Sequence, residues 1–440
     1  MGLENQMKVL NGKKLLILGG ANLHCDLVRA AKGLGVETFV TDYLPIDKAP
    51  AKQLADHFWD LDVTDVDAIV ERCRMERIDG VMNMYYDPCQ LPYQQICEKM
   101  GLPCFGTREQ YQIFTDKKRF LDVCTNYGID VIPSYKEEDF VFENPEIEYP
   151  IYVKPSDSRG SRGQSICNSC SEVELAIKRA RTASINGGVI IERFMEHAQD
   201  LQVTLMMIDG EPYLEYTADM YSSIDENGSI LPYALAVAPA FREEYILELI
   251  RGKIGAMLKG IGLCNGPVFM QGFLDGNKLR FYDPALRLPA NVVEGVLQKF
   301  FNLDVFSAMT IFAITGSFPS YLRDMQSILR RTGTVLVSLR VYIRAGQIQR
   351  ICGLEDVANL EGVFHFTPVY KEGDIIEDWH DIRQSFSLIM MVCKNIDEAR
   401  EATEYIYDAL QILDEKGEDM KLDLPEISWL KYSDSSIRIG

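Results

Sequence analysis

"VFMQGFLDGNKLRFYDPALRLPAN", Val268 to Asn291, reads as two strands joined at Asp275-Gly276-Asn277. The turn residues tolerate left-handed backbone, and the flanks are apolar and aromatic. At the far end stand Asp283 and Arg287, with Pro284 and Pro289 beside them. Charges at a strand end are either a solvated turn or part of a site, and the hairpin geometry separates the two. A three-residue loop sets Gln271 and Asp283 on one face of the ladder; a two-residue turn sets them on opposite faces. On one face, two oxygen ligands from adjacent strands suit Mg²⁺, which keeps waters and shares phosphate oxygens.

Working back from the hairpin, "YVKPSDSRGSRGQS" (Tyr152 to Ser165) is a strand running into a glycine and serine loop. Ser156, Ser158, Gly160, Ser161 and Gly163 offer hydroxyls and backbone N–H groups to an anion, because small residues let the chain approach closely. Lys154 sits on the strand, where a fixed ammonium meets a phosphate. The alternative is a surface hairpin with Arg159 and Arg162 in solvent. Ser171 and Glu174 read as a capping box opening a helix to about Ile185. "VIIERFMEH" then runs a buried strand into Glu192, Arg193, Phe194 and Met195, an extended end that presents backbone groups to a planar base or simply reaches water. Lys117, on a short helix closed by Gly128, reads on its own as a surface lysine.

Upstream, "KKLLILGG" is a buried strand ending in Gly19-Gly20, followed by a helix with Leu23, Leu27, Ala30, Ala31 and Leu34 on one face. Strands "ETFVTD" and "DGVMNMYY" alternate with a helical stretch at Asp65–Arg74, which predicts a parallel sheet with right-handed crossovers. "GGANLHCD" is neither G-x-G-x-x-G nor a Walker pattern, so its glycines read first as a tight turn needed for packing and only weakly as a nucleotide loop. A hairpin is expected at Asp209-Gly210 and another in "SLRVYIRAGQIQRICG" at Ala345-Gly346. Antiparallel hairpins after a parallel βα unit mark a separate α+β domain.

At 440 residues the chain is too long for one core, and 47 % hydrophobic with 25 % charged residues is globular composition. The net charge of −20 disfavours nucleic acid and anionic membrane, so an anionic ligand needs a local basic site. No stretch is long and apolar enough for a span, and no signal segment is evident, so a cytoplasmic protein is expected. The eleven cysteines lack a disulfide framework, and Cys167 with Cys170 has no second pair at zinc spacing.

Taken in order, the lysine helix, the Lys-Pro strand, the glycine loop, the capped helix, the "IIERF" strand and the hairpin ending in acid-x-x-x-Arg resemble the ATP-grasp superfamily. With "TDYLPIDKAPAKQLAD" they are similar to its carboxylate–amine ligase and biotin-carboxylase-like branch. The resemblance implies an α/β and α+β chain: a Rossmann-like pre-ATP-grasp domain over 1–105, a two-lobed ATP-grasp region over 106–315 with a small lid lobe at about 130–195, and a C-terminal α+β domain over 316–440. It implies ATP held by Lys117 and Lys154, a loop from Ser156 to Gly163 closing over the phosphates, and adenine read by Glu192 to Met195. By the same resemblance Asp200 holds the ribose, and Arg287 faces the transferred phosphoryl group.

The metal end departs from the family pattern. Gln271 stands where an acid is usual, and Ala285 where an asparagine is usual; Asp283 replaces a glutamate. A weak or single Mg²⁺ site at Asp283 and Gln271 is therefore expected. The activity implied is ligation of a small carboxylate to an amine or thiol through an acyl phosphate, giving ADP and phosphate, with a homodimer compatible with that branch. Two competing readings stay open, an ATP-binding regulatory protein with impaired catalysis and a carboxylase using bicarbonate.

Overall fold

The computed structural model describes residues 10–140, 144–156, 163–184, 186–196, 198–224, 230–291, 293–379, 382–427, 429 and 432. Apolar runs make the first sheet: β1 (Lys14–Leu18), β2 (Glu37–Thr41), β3 (His57–Trp59) and β4 (Gly80–Met82) lie parallel in the order β3-β2-β1-β4. Their connections are helices, among them Cys25–Gly33 and Val66–Glu76, the second capped by the Asp65 carboxylate. This is the parallel α/β domain expected from the alternation. β1 ends at Gly19, whose φ of +113° suits glycine; a Cβ there would stand 2.7 Å from His24 Cε1. Gly20 N–H donates to Asp42 Oδ2 at 2.7 Å, so the glycine turn is tied to the end of β2.

A small antiparallel sheet follows, β5 (Ser134–Tyr135), β6 (Ile151–Pro155), β7 (Ser165–Cys167) and β8 (Val189–Arg193), in the order β5-β8-β6-β7. Helix Cys170–Ala183 packs Val173 and Ile177 on Ile151, Val153 and Ile191, giving this lobe its own core. The helix starts earlier than the Ser171–Glu174 box predicts. Ser169 is the N-cap residue, two residues before the expected Ser171; its side chain accepts no hydrogen bond from the helix, and Glu172 accepts from Asn168 N–H and Ser169 Oγ instead.

Among the described residues the large sheet has eight antiparallel strands. They are β9 (Gln199–Ile208), β10 (Glu211–Ile224), β11 (Ile230–Ala238), β12 (Gly266–Asp275), β13 (Lys278–Ala285), β14 (Val335–Tyr342), β17 (Val363–Pro368) and β19 (Ser385–Cys393), ordered β13-β12-β9-β10-β11-β14-β19-β17. β9 and β10 turn at Asp209 and Gly210, both left-handed, as expected. The hairpin expected at Ala345-Gly346 does not form. β14 instead pairs with β11 and β19, while the short β15 (Gly346–Gln347) and β16 (Arg350–Cys352) pair with β18 (Ile375–Ile376) and β20 (Gln411–Leu413). The alternating run before the glycine found better apolar partners on distant strands than across its own turn.

One core joins the parallel domain to the large sheet through helix Val305–Thr315, with Met309 and Phe312 buried. Truncating either to Ala would cost about 2–5 kcal/mol. A second core, with Leu235, Val337, Phe386 and Ile406, lies on strands β11, β14 and β19 and helix Ile396–Ala409. Strands on both sides of residue 315 therefore share one sheet. Among the described residues no single helix is long and apolar enough to cross a membrane.

Candidate functional site

A cavity of about 810 Å³ opens between the small lobe and the large sheet, lined by Lys117, Lys154, Ser156, Glu192, Arg193, Phe194, Met195 and Asp200. These are eight of the residues singled out from the sequence, drawn from separate segments. Strand alternation explains the lobe's contribution. Tyr152 and Lys154 share one face of β6, and the Lys154 ammonium lies 5.5 Å from the Tyr152 ring centroid while pairing with Glu192 on β8. Glu192 is thus committed to Lys154. Arg193, on the opposite face of β8, pairs with Glu148 at 3.0 Å and Asp275 at 3.7 Å. The Phe194 N–H donates to Pro150 C=O at 2.8 Å, which anchors the extended end of the strand.

Of the loop residues, Ser156 lines the cavity, while Ser158, Gly160 and Ser161 lie outside the described residues. Gly163 does not line the cavity. Its φ is +73° and a Cβ would stand 2.5 Å from Ala183 Cβ, so its smallness serves packing on the lobe's helix.

Asp200, in the cavity wall, accepts from the Tyr282 hydroxyl at 3.0 Å. Burial pushes its carboxyl up to about 7, outweighing that hydrogen bond. An acid there is half protonated near neutrality, able both to donate to and to accept from a ligand hydroxyl.

The hairpin of β12 and β13 resolves the question of faces. Asp275 pairs with Lys278, so the loop is Gly276-Asn277, two residues, with Gly276 at φ +59°. A bulge between Gln271 and Gly272 makes Tyr282 the extra residue, and Gln271 pairs directly with Asp283. The two oxygen donors share a face because of the bulge, not the loop length. Asp283 is bound by Lys117 Nζ at 2.8 Å, and Gln271 Nε2 contacts Met220 Sδ at 3.6 Å. Ala285 is buried and offers no side-chain donor. Among the described residues no cluster of three metal-ligating side chains exists. One carboxylate and one amide oxygen would suit a single Mg²⁺ that shares phosphate oxygens and water.

Further along the same sheet face lies a second cavity, about 310 Å³, lined by Gln202, Gln271, Phe269, Arg287, Arg340, Tyr233 and the Tyr85–Pro88 turn after β4. Asp200 and Gln202 stand opposite Phe273 and Gln271 on β12, so the two cavities are neighbours along β9 and β12. Arg287 is therefore on the second cavity's wall, apart from the two lysines. It lies 5.0 Å from the Phe269 ring and is paired with Asp87. Leu288 N–H donates to Met84 C=O at 3.0 Å and Leu286 N–H to Gln90 Oε1 at 2.9 Å, which clamp this segment to the parallel domain.

The sequence reading missed Tyr152, Tyr282, Arg340, Tyr233, Tyr85 and the segment Asp423–Glu426, all of which line one cavity or the other. Arg340 carried a signal. It sits amid the alternating apolar residues Leu339 and Val341, where a charged side chain on an inner strand points to a ligand or a buried partner. The Asp423–Glu426 contribution depends on long-range contacts, such as Ser223 Oγ to Asp423 C=O at 3.1 Å, and had no local signal.

Two lobes closing on a lysine-rich cavity, beside a hairpin that carries an acid and an arginine, define an ATP-grasp fold. Residues 116–215 match the family model described as carbamoyl-phosphate synthase L chain, ATP binding domain. The carbamoyl phosphate synthase large chain of Campylobacter jejuni is 25 % identical over 296 residues, 63 % of this chain and 26 % of that protein. The chain thus spans about a quarter of the length of such relatives. An L-amino acid ligase from Bacillus licheniformis superposes with a TM-score of 0.75 at 16 % identity, covering 92 % of this chain and 99 % of that one. A phosphoribosylglycinamide synthetase from Anaerococcus prevotii gives 0.72 at 17 % identity, covering 92 % and 100 %. The chain thus shares its fold with these ligases, and its residues 116–215 share a sequence family with the ATP binding domain of the carbamoyl-phosphate synthase L chain.

Proposed function

We propose that this chain is an ATP-dependent ligase joining a small carboxylate to an amine or a thiol through an acyl phosphate, with ADP and phosphate as products. The observation that carries this is the adjacency of two cavities, lysines in one and arginines in the other, with Asp283 and Gln271 on the hairpin they share. ATP occupies the larger cavity, its base against Phe194 and Met195, its ribose at Asp200, and its phosphates at Lys117, Lys154 and the loop after Ser156. Asp283 and Gln271 would hold Mg²⁺, which when bound would neutralise phosphate charge.

The carboxylate lies in the second cavity between Arg287 and Arg340. It attacks the γ-phosphorus, ADP leaves, and the incoming nucleophile then displaces phosphate from the acyl carbon. What the chain supplies is position and fixed positive charge in a site screened from water. Small-molecule ligases and carbamoyl phosphate synthases among the relatives support the reading. The same reading divides the chain at 1–105, 106–315 and 316–440, places it in the cytoplasm, and takes as its dimer precedent the biotin carboxylase domain dimer of Hydrogenobacter thermophilus 2-oxoglutarate carboxylase.

Incubation with ATP, hydroxylamine and a panel of small carboxylates, bicarbonate included, is expected to give ADP and a hydroxamate with at least one acid. AMP as product, or no ATP consumed with any acid, would sink the ligase.

One observation favours a second reading, a nucleotide-binding regulator. Among the described residues, Gln271 and Ala285 leave Asp283 as the single carboxylate at this corner, and Lys117 already pairs with it. Tight ATP binding indifferent to Mg²⁺ in calorimetry, with no turnover, would favour the regulator.

A further inference from the structure

Behind the second cavity lies a buried polar group that phosphoryl transfer does not use. Tyr85 lines the cavity, and its hydroxyl donates to Glu294 Oε2 at 3.2 Å. Glu294, on the helix Val293–Phe301, follows Asn291 of the cavity wall and is 1 % exposed. Glu215, in the β10 bulge between Leu214 and Tyr216, is 2 % exposed. Glu294 Oε1 and both Glu215 carboxyl oxygens have no hydrogen-bond partner among the described residues. The same holds for Gln202 Nε2, on the cavity wall, and for Thr204 Oγ1 two residues along β9.

Two neighbouring carboxyls in so dry a place cannot both hold a charge, so a proton resides on the pair. The other titratable groups are Tyr216 on β10, Tyr85 with His24 and Asp26 behind it, and Arg340, whose guanidinium lies 5.2 Å from the Tyr233 ring. Burial, reinforced by Glu294, holds Glu215 well above the usual carboxylate range, and burial pushes Glu294 up to about 7. An amine substrate reaches a neutral site as an ammonium ion, with no lone pair to attack with. It needs a proton acceptor matched to that pH.

We propose that Glu294, acting through the Tyr85 hydroxyl, takes the proton from an ammonium group in the second cavity. This rests on the ligase reading above. The ammonium gives one proton to Tyr85 Oη as the tyrosine's own proton passes to Glu294 Oε2, leaving a neutral amine, an intact phenol and a carboxylic acid. The nitrogen lone pair then bonds to the acyl carbon, the C–O bond to phosphate breaks, and a second nitrogen proton leaves with the phosphate. Tyr85 touches the substrate; Glu294 is the acceptor behind it.

The test uses the full chain, ATP, the carboxylate panel above, and two nucleophiles. Hydroxylamine is uncharged at neutral pH and reports acyl phosphate alone, whereas ammonium chloride must first lose a proton. Glu294→Gln is expected to lower the ratio of amide to hydroxamate at least about tenfold and to flatten its rise through about pH 7. Tyr85→Phe should do the same, and it carries the test if thermal melts show Glu294→Gln misfolded. An unchanged ratio and pH profile in the folded variants overturns the proposal. Should the wild type give no hydroxamate, the ligase reading falls. The proton-accepting pair then stands or falls on difference infrared spectroscopy. A protonated-carboxyl band titrating near pH 7, lost in Glu294→Gln and shifted in Tyr85→Phe, supports it; absence of that band overturns it.

Discussion

Arg287 holds Asp87 of the parallel domain in a two-point ion pair, Nε to Oδ1 at 2.5 Å and Nη2 to Oδ2 at 2.8 Å, while its Nη1 donates to Leu288 C=O at 2.9 Å. The guanidinium is buried and the carboxylate half exposed. The cation is thus fixed at the junction of two domains, with a partner that an entering anion can displace toward solvent.

Arg287→Ala is expected to lower ADP formation by about two to three orders of magnitude, in line with loss of one preorganised charge. ATP affinity should stay within several-fold, because Lys117 and Lys154, the lysines proposed to hold the nucleotide, belong to the other cavity. Steady-state kinetics and calorimetry on one preparation check this. Equal loss of both would mean that Arg287 holds ground-state nucleotide or the domain junction.

Lys117→Ala and Lys154→Ala should each raise the ATP Kd by about tenfold, roughly 1.4 kcal/mol. Lys154→Ala also strands Glu192, which is 9 % exposed, so its melting temperature should fall where that of Lys117→Ala does not. ATP Kd values unchanged in both variants would remove the larger cavity as the nucleotide site.

Asp200 gives a pH signature. Its folded carboxyl titrates at about 7 against an ordinary 3.8, so the native state keeps a proton that the unfolded chain has lost. Stability is therefore full below the ordinary carboxylate range and declines, by on the order of 2–4 kcal/mol, as pH rises through about 7. Asp200→Asn keeps the acceptor for Tyr282 and cannot ionise. Denaturant melts should find it more stable than wild type at about pH 8 and similar at about pH 4. The same offset at both pH values would contradict the assignment.

At the end of β1, Gly19→Ala must place a Cβ 2.7 Å from the His24 ring at φ +113°. A loss of about 2 kcal/mol or more is expected, read as a lower urea midpoint with an unchanged m-value. His24 is buried, and desolvation lowers its pKa to about 4. Its contribution is complete above the ordinary histidine value of 6.5 and fades as pH falls toward 4, which urea melts at several pH values can follow.

Much of this was legible because it is local. Apolar runs and helical spacing placed β1, β2 and the Val66–Glu76 helix, and Asp209-Gly210 announced its own turn. What escaped depended on choices between partners. The Gln271–Asp283 pairing rests on a bulge that no turn motif encodes, and the Ala345-Gly346 hairpin lost to pairing with strands far away in sequence. Lys154, Glu192 and Asp200 were named for ligand roles, yet their neighbours Tyr152 and Tyr282 were not, because an aromatic in a strand looks like core until its hydroxyl's partner is known. Arg287 was singled out, but its tie to Asp87, 200 residues away, belongs to the docking of domains.

The pairing of β11 with β14, from Leu235↔Leu339 to Ala238↔Leu336, also bears on how the chain can be cut. A chain shortened to residues 1–315 would keep most side chains of the larger cavity, losing Asp423–Glu426. It would also bare the N–H and C=O row of β11, with Leu235 and Val237 uncovered beside it. Such an edge invites strand addition from another molecule. The C-terminal segment therefore shields this strand edge from pairing with another molecule, and any dissection of the larger cavity has to carry it along.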